Sequence, residues 1–395
     1  MNLLDWLLLL LVAAYALSGY WQGFVTGAFA TLGLLGGGFL GITLAPLVLG
    51  DAKPSLAVSL GALFIVILTA SLGQALLQYA GARVREKITW QPARAVDAVG
   101  GAALSAAAVL LVAWALGVAI SGTRIGGITE EVRGSAVLQK VDSVLPDQAD
   151  GALQAFNNVV GTGFFPRYLE PFAQEDIKEV GPGPKRLLDD PQIRATEDSV
   201  LKVIGANDCG RGVEGSGFVY APDRLMTNAH VVAGVDDPEV QIDGDTEVAR
   251  VVDYDPKLDL AVLAVDTGDI PALDFDVESG DGAGSDDPVA IVGYPQDGPF
   301  DIQPGRIREQ QTLRSPDIYG GGTVLRQVFS LRGLVRPGNS GGPLVDPDGD
   351  VAGVVFAASV TDPDTGYALT ADQVYDTAQA AVDDESEADT GACAS

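Results

Sequence analysis

The stretch Gly338-Asn339-Ser340-Gly341-Gly342-Pro343 decides the fold of the C-terminal half, because it can be read in two incompatible ways. Its first five residues satisfy G-x-S-x-G, the sharp strand-to-helix turn on which one class of hydrolases exposes a serine. That class requires the chain order serine, acid, histidine. The sequence contains one histidine, His230, within Thr227-Asn228-Ala229-His230-Val231-Val232, and none after Ser340. An acid candidate stands between the two, in Asp259-Leu260-Ala261-Val262-Leu263. The order is therefore histidine, aspartate, serine, and the elbow reading fails on connectivity.

These three residue types belong together chemically. A serine hydroxyl is a poor nucleophile until a neutral imidazole takes its proton, and the imidazole needs a carboxylate to fix its tautomer and stabilise the imidazolium. Glycines around Ser340 allow a tight turn whose amides, those of Gly338 and Ser340, can point at a developing oxyanion. Asp253 and Asp255 lie close to Asp259, but the apolar residues that follow Asp259 place it at the mouth of a buried strand. The segment Gly210-x-Gly212-x-x-Gly215 copies a dinucleotide fingerprint, yet Phe218-Val219-Tyr220 continues it as a strand rather than a helix.

Around these motifs, residues from about 197 to 380 alternate short β-branched runs with Gly, Pro and Asp turns. Strands are expected at Val200-Ile204, Gly217-Tyr220, Arg224-Thr227, Val248-Tyr254, Leu260-Ala264, Pro288-Gly293, Thr323-Leu331, Gly342-Val345 and Val351-Ala357. That spacing predicts an all-β unit of two six-stranded barrels.

With Gly215-Ser216-Gly217-Phe218-Val219 ahead of the histidine, these segments resemble the trypsin-like serine proteases, in particular their HtrA-like bacterial branch. The resemblance implies a chymotrypsin-like double β-barrel with His230 as general base, Asp259 as its orienting acid and Ser340 as nucleophile, and with no metal or organic cofactor. It places the base of the pocket for the residue before the scissile bond near Leu334, its wall at Phe356, Ala357 and Ala358, and Gly366-Tyr367-Ala368 beyond. Leu334 is no acid to pair with Arg or Lys, so an apolar or small residue is expected there.

The N-terminal part is a different object. The chain of 395 residues has a net charge of -29, yet 47% of its residues are hydrophobic. Residues 1–120 hold five basic and four acidic side chains, leaving 19 basic and 49 acidic for the remainder. So acidic a body repels phosphate backbones, which excludes sequence-independent nucleic-acid binding. Four stretches are long or apolar enough to cross a bilayer: Leu3-Leu17, Phe24-Leu49, Leu56-Tyr79 and Gly100-Ile120. Arg83, Arg85, Lys87 and Arg94 fall between the third and fourth, so that connection is cytoplasmic by the positive-inside rule. Both termini, and the acidic half, then lie on the extracytoplasmic, periplasmic side. Gly33, Gly37 and Gly41 are spaced for close helix packing. The start Asn2-Leu3-Leu4-Asp5-Trp6, the turn Gly19-Tyr20-Trp21-Gln22-Gly23-Phe24 and the four spans resemble the colicin V production (CvpA) family of membrane proteins.

The expected organisation is thus an all-α transmembrane domain over residues 1–120, a juxtamembrane helix and linker over 121–196, the protease domain over 197–382, and an acidic, disordered tail over 383–395 carrying Cys393. Val132, Leu138, Val141 and Leu145 suggest one amphipathic helix, and the Pro- and Gly-rich stretch of residues 160–198 an extended linker open to self-cleavage. As a whole the chain resembles the membrane-anchored actinobacterial serine proteases of the MarP type. That resemblance implies a multi-pass membrane protein facing outward, protein or peptide substrates in the cell envelope, and a role in acid or other envelope stress. An outer location lets Cys209 and Cys393 pair as a disulfide; two free thiols are the alternative. The rival reading is a non-enzymatic, peptide-binding sensor or scaffold.

Overall fold

The computed structural model of the chain describes residues 1–49, 56–121, 128–145, 175, 177–209, 212–277 and 283–394. They form two compact units, a helical one from residues 1–117 with 135–144, and a β-rich one from residues 118–134 with 145–395.

The helical unit contains α1 (Leu3–Gln22), α2 (Phe24–Leu49), α3 (Leu56–Arg85) and α4 (Gln91–Ser121), all long and apolar enough to cross a membrane. Their starts and stops follow from specific residues. Asn2 caps α1 by accepting from the Asp5 amide, and Asp5 returns the bond to the Asn2 amide, a capping box. Asp5 is fully buried and also accepts from Ser135 Oγ at 2.6 Å and Val137 N at 3.1 Å, so it holds the start of α6 (Ala136–Asp142) as well. Gly23 separates α1 from α2 at φ +79°, and a Cβ there would lie 2.0 Å from Asp97 Oδ2. The space is taken by the ion pair of Asp97 with Arg85, at 2.6 Å. Gly33 and Gly37 of α2 face the backbone of Gly73 and Thr69 in α3, and a methyl at either would strike a carbonyl at 2.2–2.3 Å. The small-residue series therefore packs one span against the next.

The single amphipathic helix expected after the spans is two, α5 (Ile128–Arg133) and α6, because Ser135 accepts from the Leu138 amide and starts a new helix. Residues 146–174, on which the upstream half of the expected linker falls, lie outside the described residues. From Lys185 onward the extended reading does not hold. Residues Lys185–Asp189 and Thr196–Ser199 form single 3-10 turns around α7 (Pro191–Ala195), and Leu187 and Ile193 are fully buried in the core of the β unit. Pro191, in the first turn, fits a helix start rather than a break.

Among the described residues the β unit has thirteen strands: β1 (Val200–Ala206), β2 (Gly212–Ala221), β3 (Arg224–Thr227), β4 (Glu239–Ile242), β5 (Asp245–Val248), β6 (Arg250–Asp255), β7 (Leu260–Ala264), β8 (Pro288–Gly293), β9 (Asp301–Ser315), β10 (Val324–Arg332), β11 (Pro343–Val345), β12 (Val351–Ala358) and β13 (Thr365–Thr370). One sheet runs β5-β4-β1-β2-β3-β7-β6, and the other closes as a six-stranded barrel, β10-β13-β12-β11-β8-β9. The first sheet has seven strands where six were expected, since the acidic run 239–248 folds into a hairpin. Phe218, Met226, Val262, Val292, Val328 and Phe356 fill a core that joins the two sheets.

The C-terminal residues are ordered instead of trailing free. After α8 (Ala229–Val232), which carries His230, and α9 (Ala371–Ala381), the tail turns back over the first sheet. Buried Arg224 donates to the Ala381 carbonyl at the end of α9 and to Glu385, which also binds Arg250. The Ala388 amide donates to the Val251 carbonyl. Local acidity favours disorder, but arginines on the facing strands supply the compensating charge.

Candidate active site

His230 is delivered by the turn that ends β3. Asn228 precedes α8, and its Nδ2 donates to the Asp259 carbonyl at 2.8 Å, so the histidine and aspartate segments are stitched together. The Asp259 carboxylate accepts from the His230 amide at 2.9 Å and meets His230 Nδ1 at 2.8 Å and 3.0 Å. Asp259 is 1% exposed and sits at φ +66°, a left-handed conformation that short acids tolerate better than most residues. An acid that accepts at Nδ1 fixes the tautomer and leaves Nε2 as the proton acceptor. Asp253 and Asp255 do not compete: Asp255 caps its own turn through the Lys257 and Leu258 amides.

Ser340 reaches the same place from the second barrel. Its carbonyl accepts from the Ser216 amide of β2 at 2.8 Å. Gly341, at φ +80°, lies so close to the histidine segment that a Cβ would stand 2.2 Å from the Ser216 carbonyl and 2.3 Å from Thr227 Oγ1. The serine turn is thus pressed into the seam between the sheets. Its peptide orientations are set from both sides. The Pro337 carbonyl accepts from Gln296 N at 2.7 Å and the Asn339 carbonyl from Gly342 N at 3.0 Å. In a trans peptide the following N–H points the opposite way, so the amides of Gly338 and Ser340 face away from these partners. Among the described residues neither amide has an acceptor.

Two supporting residues escape a reading of the sequence. Ser216 donates its hydroxyl to the Gly338 carbonyl at 2.7 Å and accepts from the Tyr294 amide at 2.9 Å, tying the serine turn to β8. Only its place between Gly215 and Gly217 hinted at a role. Arg326, 2% exposed on β10, donates to the Lys257 carbonyl through Nε at 3.0 Å and through Nη2, and to Ser315 Oγ through Nη1. Burial pulls its guanidinium below the ordinary arginine value, and the carboxylates of Asp259, Asp255 and Asp317 push it back up. A buried cation therefore braces the loop that presents Asp259.

The expected substrate pocket is placed less evenly. Leu334 stands at the surface, 40% exposed, while its neighbour Val335 is buried and lies against Gly366. Phe356 turns into the inter-sheet core, with the Arg326 guanidinium 5.7 Å from its ring centre. Ala358 packs with Val335 and Ala368 in the barrel's own core. Cys209 and Cys393 form a disulfide with Cα atoms 6.4 Å apart. Cys209 follows β1, and Cys393 packs against Gly234, two residues past the helix that carries His230.

Comparison with known proteins agrees with this geometry. Residues 215–354 match the trypsin-like peptidase domain, and residues 4–146 match the colicin V production protein family. Serine protease Rv3671c of Mycobacterium tuberculosis is 36% identical over 362 residues, covering 91% of this chain and 90% of that one. The chain belongs to the trypsin-like serine proteases. Within that family it joins a membrane-capable helical domain of the colicin V production type to a peptidase domain, as the MarP-type resemblance implies. The crystal structure of the active form of the Rv3671c protease matches with a TM-score of 0.54 and 42% identity, over 57% of this chain and 99% of that one. A probable periplasmic serine endoprotease, DegP-like, of Halomonas elongata is 32% identical over 173 residues, covering 42% of this chain and 34% of that relative.

Proposed function

We propose that this serine endopeptidase works through a triad of Ser340, His230 and Asp259, with the amides of Gly338 and Ser340 as its oxyanion hole. The observation that carries the reading is the Asp259 carboxylate on His230 Nδ1 at 2.8 Å, on a segment against which the Ser340 turn is pressed. In this mechanism His230 Nε2 takes the Ser340 proton as Oγ attacks the scissile carbonyl. The tetrahedral oxyanion is met by the two amides, and removing one such donor in a related enzyme costs roughly 3–4 kcal/mol. The imidazolium then gives its proton to the leaving amine, and water hydrolyses the acyl-enzyme by the reverse sequence.

The protease unit faces the extracytoplasmic side, a reading supported by the basic connection between α3 and α4, by the disulfide and by similarity to a probable periplasmic DegP-like protease. Its substrates are envelope proteins, and its role lies in acid or other envelope stress. Self-cleavage would fall in the linker of residues 160–198, ahead of the turn that begins at Lys185. The bridge to Cys393 supports the His230 helix, so reduction should lower turnover.

The test is cleavage of a peptide library by the full chain beside Ser340→Ala and His230→Ala variants. Cleavage after apolar or small residues, lost by at least ~10³-fold in either variant, is the expected result. Cleavage mainly after Arg or Lys overturns the pocket reading, and cleavage that survives Ser340→Ala overturns the triad. Peptide binding without turnover supports the sensor or scaffold instead.

A further inference from the structure

The chain just before the β unit's first turn is laid along the second barrel as a strap. Gly183 runs so close to β9 that a Cβ would stand 2.4 Å from the Gly305 amide. Arginines of the barrel hold the strap's carbonyls: Arg308 Nη1 donates to Lys178 O at 2.6 Å, and Arg332 Nη1 donates to Val180 O. Lys178 Nζ adds a bond to Ser285 Oγ at 3.1 Å. At the strap's upstream end, Glu175 accepts from Ser359 Oγ at 2.6 Å and from Thr361 Oγ1. Buried Arg133 of α5 lies near enough to Glu175 for that carboxylate to sustain its charge.

What the strap holds is one turn. Ser359 and Thr361 begin the connection between β12 and β13, and Asp362 within it takes Arg308 Nη2 at 3.2 Å. Arg308 is 2% exposed, and its three donating nitrogens are shared among the strap, this turn and the Leu331 carbonyl of β10. The turn also has bonds of its own: the Thr361 and Asp362 amides donate to Ser359 Oγ, the Ser359 amide to the Thr365 carbonyl, the Thr365 amide to the Asp362 carbonyl, and the Asp364 amide and Thr365 Oγ1 to the Asp362 carboxylate. Its far side holds the pocket residues, since the Asp364 carbonyl accepts from Gly333 N and Gly366 lies on Val335. The contacts from the strap add to the order that these bonds give a surface turn.

We propose that Glu175 is a positioning residue for the pocket before the scissile bond: by clamping Ser359 and Thr361, the strap fixes the β12–β13 turn in the shape that admits substrate. This rests on the protease reading above. Cleavage within residues 146–174 would leave the clamp attached, whereas removal of residues through 183 would release it.

The experiment uses the full chain in nanodiscs, with Glu175→Ala, Glu175→Gln, Ser359→Ala and the double variant Glu175→Ala/Ser359→Ala. Loss of hydrogen bonds to a charged group predicts a rise of about tenfold in KM for the preferred peptide. The kcat and the rate at which a small fluorophosphonate labels Ser340 should stay within about threefold. Glu175→Gln, which keeps an acceptor, should recover part of the loss, the double variant should add little to either single one, and hydrogen exchange at residues 359–365 should quicken in Glu175→Ala. Unchanged KM or unchanged exchange overturns the clamp while leaving the protease intact. A parallel fall of KM-independent labelling and of the melting temperature would show general packing instead, and overturns it too. Absence of labelling in the unaltered chain is the separate failure of the protease reading, and takes the clamp's role with it.

Discussion

At the scale of single residues, the site depends on which groups face His230. Asp259→Asn would keep the bond to the His230 amide but present the wrong partner to Nδ1, so turnover should fall about 10⁴-fold with the fold intact, measured by kcat and by circular dichroism. Asp253→Asn and Asp255→Asn should leave kcat within a few-fold, because neither acid meets the ring. His230 and Ser340 could be proposed from the sequence because a lone histidine inside a motif and a glycine-bracketed serine stand out locally. Ser216 and Arg326 could not. Their partners lie 122 and 69 residues away, and nothing local marks a serine or arginine for such contacts.

At the scale of elements, the serine turn and the C-terminal tail make opposite demands. Gly341→Ala would place a methyl on the Ser216 carbonyl at a positive φ, so the turn must shift; loss of labelling by active-site reagents with little change in far-ultraviolet dichroism is the expected outcome. The tail, by contrast, is an ordinary coil tied down by Arg224, Arg250 and the disulfide. Closing a loop of 184 residues stabilises by up to about 4–5 kcal/mol in the loop-entropy model. Cys393→Ser should therefore lower the melting temperature by several degrees, read by calorimetry with and without reductant. The bounds of α2 and the apolar strands could be read from sequence because long apolar runs and β-branched alternation signal themselves. The hairpin of β4 and β5 and the fifteen-residue β9 could not. Their sequences are polar, and tertiary pairing overrides their weak propensity. Likewise, residues 185–199 look like linker because their two core side chains, Leu187 and Ile193, are too few to make a pattern.

At the scale of the whole molecule, the acidic surplus shapes the pH response of the fold. Asp253, Asp346 and Asp350 are held above the ordinary carboxylate value, first by burial and then by carboxylates nearby. Such groups bind protons more tightly folded than unfolded, so they cost stability at neutral pH and return it as pH falls toward the carboxylate range. Glu385 and Asp384 shift the other way, but at the surface, where solvent screens them. Melting of the protease unit should therefore be as high at pH 5 as at pH 7, or higher; a marked drop would contradict this balance. Orientation is a second property at this scale. A reporter that matures only in an oxidising compartment should be active when fused after Ser395 and silent within the loop that carries Lys87.

The central claim is that the seam between the two sheets assembles a working nucleophile, and covalent labelling reads it most directly. The full chain, treated with a fluorophosphonate and mapped by mass spectrometry, should carry one adduct, on Ser340, and none in Ser340→Ala. A folded, disulfide-bonded sample that stays unlabelled, or that carries its adduct elsewhere, would contradict the account.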